Sequence, residues 1–509
     1  MISSGAAPAP AIGRRSRTRG TDLALWILAG FGVVTMLAAG YAGLAVPALA
    51  AVVLPLALIS YQKALLSWQT LLGLILAVIL FIPIRRYTVG GGFPIELEPY
   101  RVVIAVVMLC WFGALLIDPD VRWRGTGLEG PVTVFLMAIL LSLVLNLSKV
   151  AALSEAVLKQ VSFFISFILM IYFVGSSIRR GPEMDRILRL IVLGGAFVAL
   201  LSLYEWKSGR NMFNGLGAYL PFLQYVDQGE ALARGTGTRA MGSAQHPIAL
   251  GAALVMLLPL TLYLHRRDGH WIWLASGGLL TLGALSTGSR TAAVMLMVTL
   301  AVFFWLKREE TIKLLPALFV LMCVIQVAMP GTLGTFKAIL NPAYVVQEQS
   351  QEMGSGSGRL HDIGPSLDEW SRNPFFGQGF GTRIVATDGA PDGAQILDNQ
   401  WLGSLLDVGF VGFVGLIWLY VRAVRKLGRR ARAETGADGW LPTTLAASIT
   451  AFAVGMFTYD AFAFVQVTFL SFVFLGFAAV IVRPDNEPSL LTRLRAQSRR
   501  QAVARPAAR

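Results

Sequence analysis

A set of ionisable side chains stands at the ends of long apolar blocks: Glu205, Arg239, His246, Arg290, Arg359, His361, Asp398 and Asp460, with Asp407 farther into its block. Charge at such positions is costly in lipid and is often functional. Arg290 lies in STGSRTAAV, between two blocks with almost no connecting loop. Two roles fit it: a guanidinium aimed at phosphate, or a side chain snorkelling to lipid headgroups. Arg239 precedes AMGSAQHPIALG, where Ser243 is a suitable N-cap and Pro247 suits a first helical turn. An arginine beside a helix N-terminus is a natural anion site; an ordinary capped helix entry is the plainer alternative. His246 could titrate or bond a sugar, or be a polar neighbour of the cap. Asp398 and Asn399 open another block. The carboxylate suits a general base at the mouth of a cavity and equally an N-cap. Asp407, inside that block, needs a partner or water and is expected to face the protein interior.

What must position these groups is set by the rest of the chain. Of its 509 residues 55% are hydrophobic, and the mean hydropathy is +0.64. The apolar residues come in blocks of about 16–22, long enough to cross a hydrocarbon core of roughly 30 Å as helices. Unbroken blocks exclude a barrel, whose strands would alternate. The expected fold is therefore all-α: a polytopic transmembrane bundle of about 12–14 spans. The net charge of +14 does not point to nucleic acid, because its cations fall in short clusters between blocks and in the two tails. Cys110 and Cys323 lie inside apolar blocks, form no CxxC motif, and are expected to be buried packing residues.

Residues 1–21 read as a basic cytoplasmic tail and 22–329 as spans, with a retained first helix and an outer loop near 207–243. Residues 330–398 read as a long extracytoplasmic loop, 399–482 as further spans and 483–509 as a second basic cytoplasmic tail. Alternating from a cytoplasmic N-terminus puts SIRRGPEMDR, HRRDGH, KREETIK and RAVRKLGRRARA on the cytoplasmic side, as the positive-inside rule requires. IRRYTVGGGFPIELEPYR lands outside with a basic pair and runs against it. In the long loop Leu360, Ile363, Leu367 and Trp370 recur at helical spacing. That helix should stop at Asn373-Pro374, before the turn FFGQGFG. Gly409, Gly412 and Gly415 form a stripe suited to close helix packing. Asp118-Pro119-Asp120 reads as a decoy DxD on the wrong side, and DGAPDGAQILD lacks the spacing of a calcium loop.

Four pieces occur in a telling order: RAMGSAQHPIALGAALVMLLPL, STGSRTAAVML, GRLHDIGPSLDEWSRNPFFGQGFG and DNQWLGSLLDVGFVGFVG. Over residues 235–420 they resemble the O-antigen ligase and polymerase family of bacterial membrane glycosyltransferases. The resemblance implies a polyprenyl-diphosphate-linked glycan as donor and a lipid or glycan hydroxyl as acceptor. It implies a site on the outer face of the cytoplasmic membrane, without metal, cofactor or nucleotide sugar. Arg239, Arg290 and Arg359 would hold the diphosphate. The family's ligases often have His-Asn where this chain has Asp398-Asn399, so the base would be Asp398 or His361. Residues 358–381 would form a lid over the cavity. Its partners would be these substrates and membrane lipids, with no nucleic acid. A lipid-linked oligosaccharide flippase is the alternative; the absence of a visible repeat and the crowding of charge at one face speak against it.

Overall fold

The computed structural model describes residues 67–89, 98–118, 121–226, 233–234, 237–328, 363–383 and 397–483. These fall into two units: residues up to Leu71 with Phe112–Val121, and Leu72–Trp111 with everything from Arg122. In the first, Ser67 Oγ accepts from Thr70 N, and Asp118 N donates to Ala114 O. The site and its scaffold belong to the second.

The described helices are α1 (Trp68–Phe81), α2 (Pro99–Ile117), α3 (Glu129–Leu145), α4 (Leu147–Ala152), α5 (Ser154–Ser177), α6 (Pro182–Ser208) and α7 (Leu216–Tyr219). They continue with α8 (Pro247–Asp268), α9 (Ile272–Ser286), α10 (Arg290–Leu306), α11 (Arg308–Ala328), α12 (Ile363–Arg372), α13 (Gln400–Ala433), α14 (Gly436–Gly455) and α15 (Val465–Val482). Every apolar block within the described residues is helical, because a lipid-embedded backbone must bond to itself. α2, α5, α6, α8, α13 and α15 are each long and apolar enough to cross a membrane. The first two blocks, 22–40 and 42–60, lie outside the described residues. Strands are few: β1 (Tyr87–Val89) pairs antiparallel with β2 (Leu223–Tyr225), and Ala233–Arg234 pairs with Gly237–Thr238.

α15 is apolar on all sides and almost wholly buried, which makes it a central helix. Phe469 and Phe472 on it pack edge-on and stacked against Phe167 of α5. Cys110 and Cys323 are exposed, contrary to expectation. A bundle surface that meets hydrocarbon can carry a small thiol outward without a solvation cost, so an apolar setting does not imply burial.

The basic connections expected on one side do meet. Arg180 pairs with Glu434 at 2.6 Å, Arg189 with Asp268 at 2.7 Å, Arg267 with Asp438 at 3.3 Å, and Arg266 with Glu310. The exposed aromatics Trp271 and Trp305 lie at the same end, and Arg432 stacks on Trp305 at 4.8 Å.

α13 is broken. Gly409 has φ 65° and ψ −170°, which no helix accommodates. The segment after α12 fills the break. Gln378 N donates to Leu406 O at 2.9 Å, and Ser142 Oγ of α3 donates to Asp407 O at 2.5 Å. Phe410 N and Val411 N donate to Pro374 O and Phe375 O at 2.8 and 3.2 Å. Backbones touch here: a Cβ on Gly409 would lie 2.3 Å from Phe375 C, and one on Gly377, at φ 69°, would lie 2.4 Å from Leu406 O. Gly412 and Gly415 do pack closely, against Ala138 and Phe135 of α3. Gly409 does not belong to that stripe; it is the breakpoint.

Gly409→Ala adds left-handed strain and a backbone collision, each of about 1–3 kcal/mol. It should lower the thermal midpoint in detergent sharply. Gly364→Ala on α12, where a Cβ meets nothing within 4 Å, should leave it unchanged or slightly raised.

Candidate functional site

The connection between α14 and α15, residues 456–464, gathers three helix N-termini. Gln245, ahead of α8, donates through Nε2 to Ala463 O at 2.7 Å. Thr291 in the first turn of α10 shares a 2.8 Å hydrogen bond with Thr458 Oγ1. Gln400 at the start of α13 donates its N–H to Met456 O and Tyr459 O, and its Oε1 accepts from Phe462 N at 2.7 Å. Each N-terminus presents N–H groups that have no partner within their own helix and about half a positive charge.

The expected site residues map onto this hub as follows. Arg239 is half-buried, and its Nε donates to Thr287 O at 2.9 Å. That bond fixes it against the Ser286–Gly288 turn, where Ala240 N also donates to Ser286 O. Arg290 is the first residue of α10, just beyond the same turn. Gly251 of α8 keeps that turn close: a Cβ there would lie 2.8 Å from Thr287 Oγ1. Arg359 and His361 lie outside the described residues.

The cap of α8 is His246, not Ser243. Its Nδ1 accepts from Ile248 N at 3.1 Å, while Ser243 is buried and accepts from Gln466 Nε2 at 3.3 Å. The His246 ring stacks on Phe464 at 5.4 Å. Burial, seconded by Arg239 and opposed by Asp398, holds its pKa down at about 4. With Nδ1 accepting, the neutral ring carries its proton on Nε2 and is a donor. Asp398 is also relieved of capping: Asn399 caps α13, its side chain accepting from Leu402 N at 3.1 Å. Asp398 is half-buried and within electrostatic reach of both His246 and Asp460. Burial raises the Asp460 carboxyl above its ordinary range, against the pull of Arg383 and with a push from Asp398.

Sequence reading did not single out Arg383. It ends the glycine-rich segment and lies 3.7 Å from Asp407 Oδ1, giving Asp407 the partner it was expected to need. Nor did it assign Arg86 or give Glu205 its true role. Glu205 is buried; its Oε2 accepts from Met241 N and Gly242 N at 3.2 and 2.7 Å, and its Oε1 from Asn211 Nδ2 at 3.0 Å. Arg86, also buried, donates to Asn214 Oδ1 and to the carbonyls of Gly242 and Ala244. The two therefore clamp the 239–246 segment. They also explain the basic pair that ran against the charge rule: Arg86 is a buried structural cation. The signal that could have found them is a charged residue next to a segment that needs its backbone groups satisfied.

The lid expectation is revised for residues 374–381. They are fixed in the α13 break, with Phe380 edge-on to Phe164 at 5.7 Å and Lys149 Nζ bonded to Gln378 Oε1 at 3.0 Å. The preceding helix α12 keeps Ile363 and Leu367 exposed, while Trp370 packs on Leu397, Leu402 and Leu406.

A family model described as O-antigen ligase matches residues 275–417, from α9 to beyond the α13 break. Over that stretch, less than a third of its length, the chain is similar to the O-antigen ligase family. The match supports an O-antigen ligase-like role in surface polysaccharide assembly. No curated protein matches the chain. The O-antigen ligase match includes Arg290, Arg383, Asp398 and Asp407; Arg239, His246 and Asp460 come from flanking segments that the fold brings to it.

Two outcomes follow. His246 has a folded pKa below its ordinary 6.5, so the stability it contributes is complete above pH 6.5 and is lost as pH falls toward 4. Its NMR ring signals should therefore show no titration between pH 5 and 8. Glu205→Ala removes the acceptor of three bonds beside a buried arginine. It should cost at least about 3 kcal/mol, seen as a lower thermal midpoint.

Proposed function

We propose that this protein is a metal-independent glycosyltransferase of the cytoplasmic membrane. It moves a glycan from a polyprenyl-diphosphate donor to an acceptor hydroxyl at the outer face. The observation that carries the reading is the meeting of Arg239 and the Arg290 turn, through Arg239 Nε and Thr287 O, at a hub of helix N-termini beside Asp398. Guanidinium groups and positive helix ends suit a diphosphate that gains charge as the sugar–phosphate bond breaks. Asp398 takes the proton from the acceptor hydroxyl as its oxygen attacks the anomeric carbon. The diphosphate leaves with the bonding electron pair and is held by Arg239 and Arg290. Arg359 and His361 belong to the same donor-side loop in this reading, as a further diphosphate ligand and a second candidate base. In this reading the N- and C-terminal tails and the ion-paired basic connections face the cytoplasm and the hub faces the opposite side.

The test uses full-length protein in nanodiscs with a polyprenyl-diphosphate glycan and EDTA, scoring release of free polyprenyl diphosphate with and without envelope lipid. Acceptor-dependent, EDTA-resistant release is expected, falling about 10²–10³-fold in Arg290→Ala and in Arg239→Gln. A ladder of products would identify a polymerase, and one transferred block a ligase. Normal turnover in both arginine variants, at normal expression, would dismiss the site.

A further inference from the structure

Arg383 is the cation that the functional reading leaves without a task. It closes the segment locked into the α13 break, so its Cα is held by a fixed backbone: Thr382 N donates to Gly379 O, and Gln378 N donates to Leu406 O. Its guanidinium lies over Gly403. A Cβ on Gly403 would stand 2.8 Å from Nη2 and 3.5 Å from Cζ. A glycine one turn into a helix costs about 0.5–1 kcal/mol against alanine; here the room it leaves is occupied by the guanidinium. The guanidinium thus lies beside the first turns of α13, against Gly403 and near Asp407.

Its pairing there is incomplete. A charge-assisted N–H···O bond between arginine and carboxylate closes to about 2.7–2.9 Å. Arg383 Nε stands 3.7 Å from Asp407 Oδ1, and this buried Nε has no hydrogen-bond partner. The Arg180–Glu434 pair at the opposite end shows what a structural pair looks like in this fold: two bonds at 2.7 and 2.6 Å. Around the hub, Ser289 Oγ beside Arg290 and Tyr459 Oη are likewise buried without a partner. Buried polar atoms in native proteins are nearly always matched, so an unmatched charged donor such as Arg383 Nε calls for an explanation, such as a bound ion. Arg383 also acts on the charge of Asp460, which in turn feels Asp398. It therefore lies within electrostatic reach of the hub.

Resting on the donor reading above, we infer that Arg383 is a further ligand of the donor's anionic group, presented across the Gly403 gap, with Asp407 as its counter-ion until the anion arrives. The guanidinium then exchanges one loose carboxylate contact for paired bonds to phosphate oxygens, which match its fork.

The experiment measures binding of farnesyl diphosphate to the full chain in phosphatidylcholine nanodiscs, with farnesol as the uncharged control. Arg383→Gln should weaken binding at least tenfold with the thermal midpoint kept. Arg383→Lys should lose less, keeping the charge without the fork. Asp407→Asn, which releases the guanidinium, should bind at least as tightly as wild type. If Arg383→Gln lowers the midpoint, Gly403→Ala becomes the deciding variant, since it displaces the guanidinium without removing it: weaker binding supports the assignment and unchanged binding overturns it. Wild-type affinity in a stable Arg383→Gln, with loss in Arg239→Gln, removes Arg383 from the site and leaves the donor reading standing. Equal binding of farnesol and farnesyl diphosphate by wild type would sink the donor reading itself, and this inference with it.

Discussion

The fold turns on four backbone groups. Gly409 stops the α13 ladder, which strips Leu406 O and Asp407 O of their helical donors and Phe410 N and Val411 N of their acceptors. In lipid or protein interior, each of these left unmatched would cost several kcal/mol. All four are matched from outside the helix, three by residues 374–378 and one by Ser142. The loop and the helix are therefore one structure, and the demand for hydrogen bonds is what welds them. The glycines at 377 and 409 are required because the two backbones meet without side chains between them.

The break has a geometric result. It separates α13 into a short entry piece, residues 400–408, and a stretch from 410 to 433 that is ~36 Å long at 1.5 Å per residue. The entry piece is free to take its own direction. It carries Asn399, Gln400 and Asp407 and is pinned to the 456–464 connection rather than to the membrane-crossing part. The same connection holds the starts of α8 and α10. Charge follows backbone here: the dipole ends come first, and Arg239, Arg383, Asp398 and Asp460 are placed around them. Arg86 and Glu205 stiffen the segment that delivers Arg239, so the cations around the hub rest on a buried cation and a buried anion behind them.

How much of this was legible depends on range. Apolar blocks fix helices locally, so the spans over described residues and the stop of α12 before Pro374 could be read from the chain. Asn399 as a cap was within reach, because Asp-Asn before an apolar run offers two caps; which of them bonds Leu402 N is a matter of tertiary placement. Ser243 lost its capping role to His246 because Gln466, more than two hundred residues away, claims its hydroxyl. The break at Gly409 was not legible. Glycines three apart look like a packing stripe, and two of them are, but the third acquires its meaning only from a partner segment some thirty residues upstream and a serine on α3. Arg383 was hidden for the same reason. It follows the FFGQGFG turn, which read as part of a lid over the cavity, whereas the fold drives that turn into the bundle.

The α13 break also sets an order of assembly. A chain emerging from its N-terminus places α3 first, with Ser142 and Asn146 waiting on it. The segment 374–379 comes more than two hundred residues later, and α13 directly after. α13 cannot leave the insertion machinery as a finished helix, because two of its acceptors and two of its donors are filled only by that preceding segment and by α3. The loop must already stand at its place against α3 when α13 arrives. Completion of the hub is thus tied to α13, and a chain that stalls before it holds Arg239 and the starts of α8 and α10 with no entry helix to close the hub. The hub is withheld from the protein until α13 has been made.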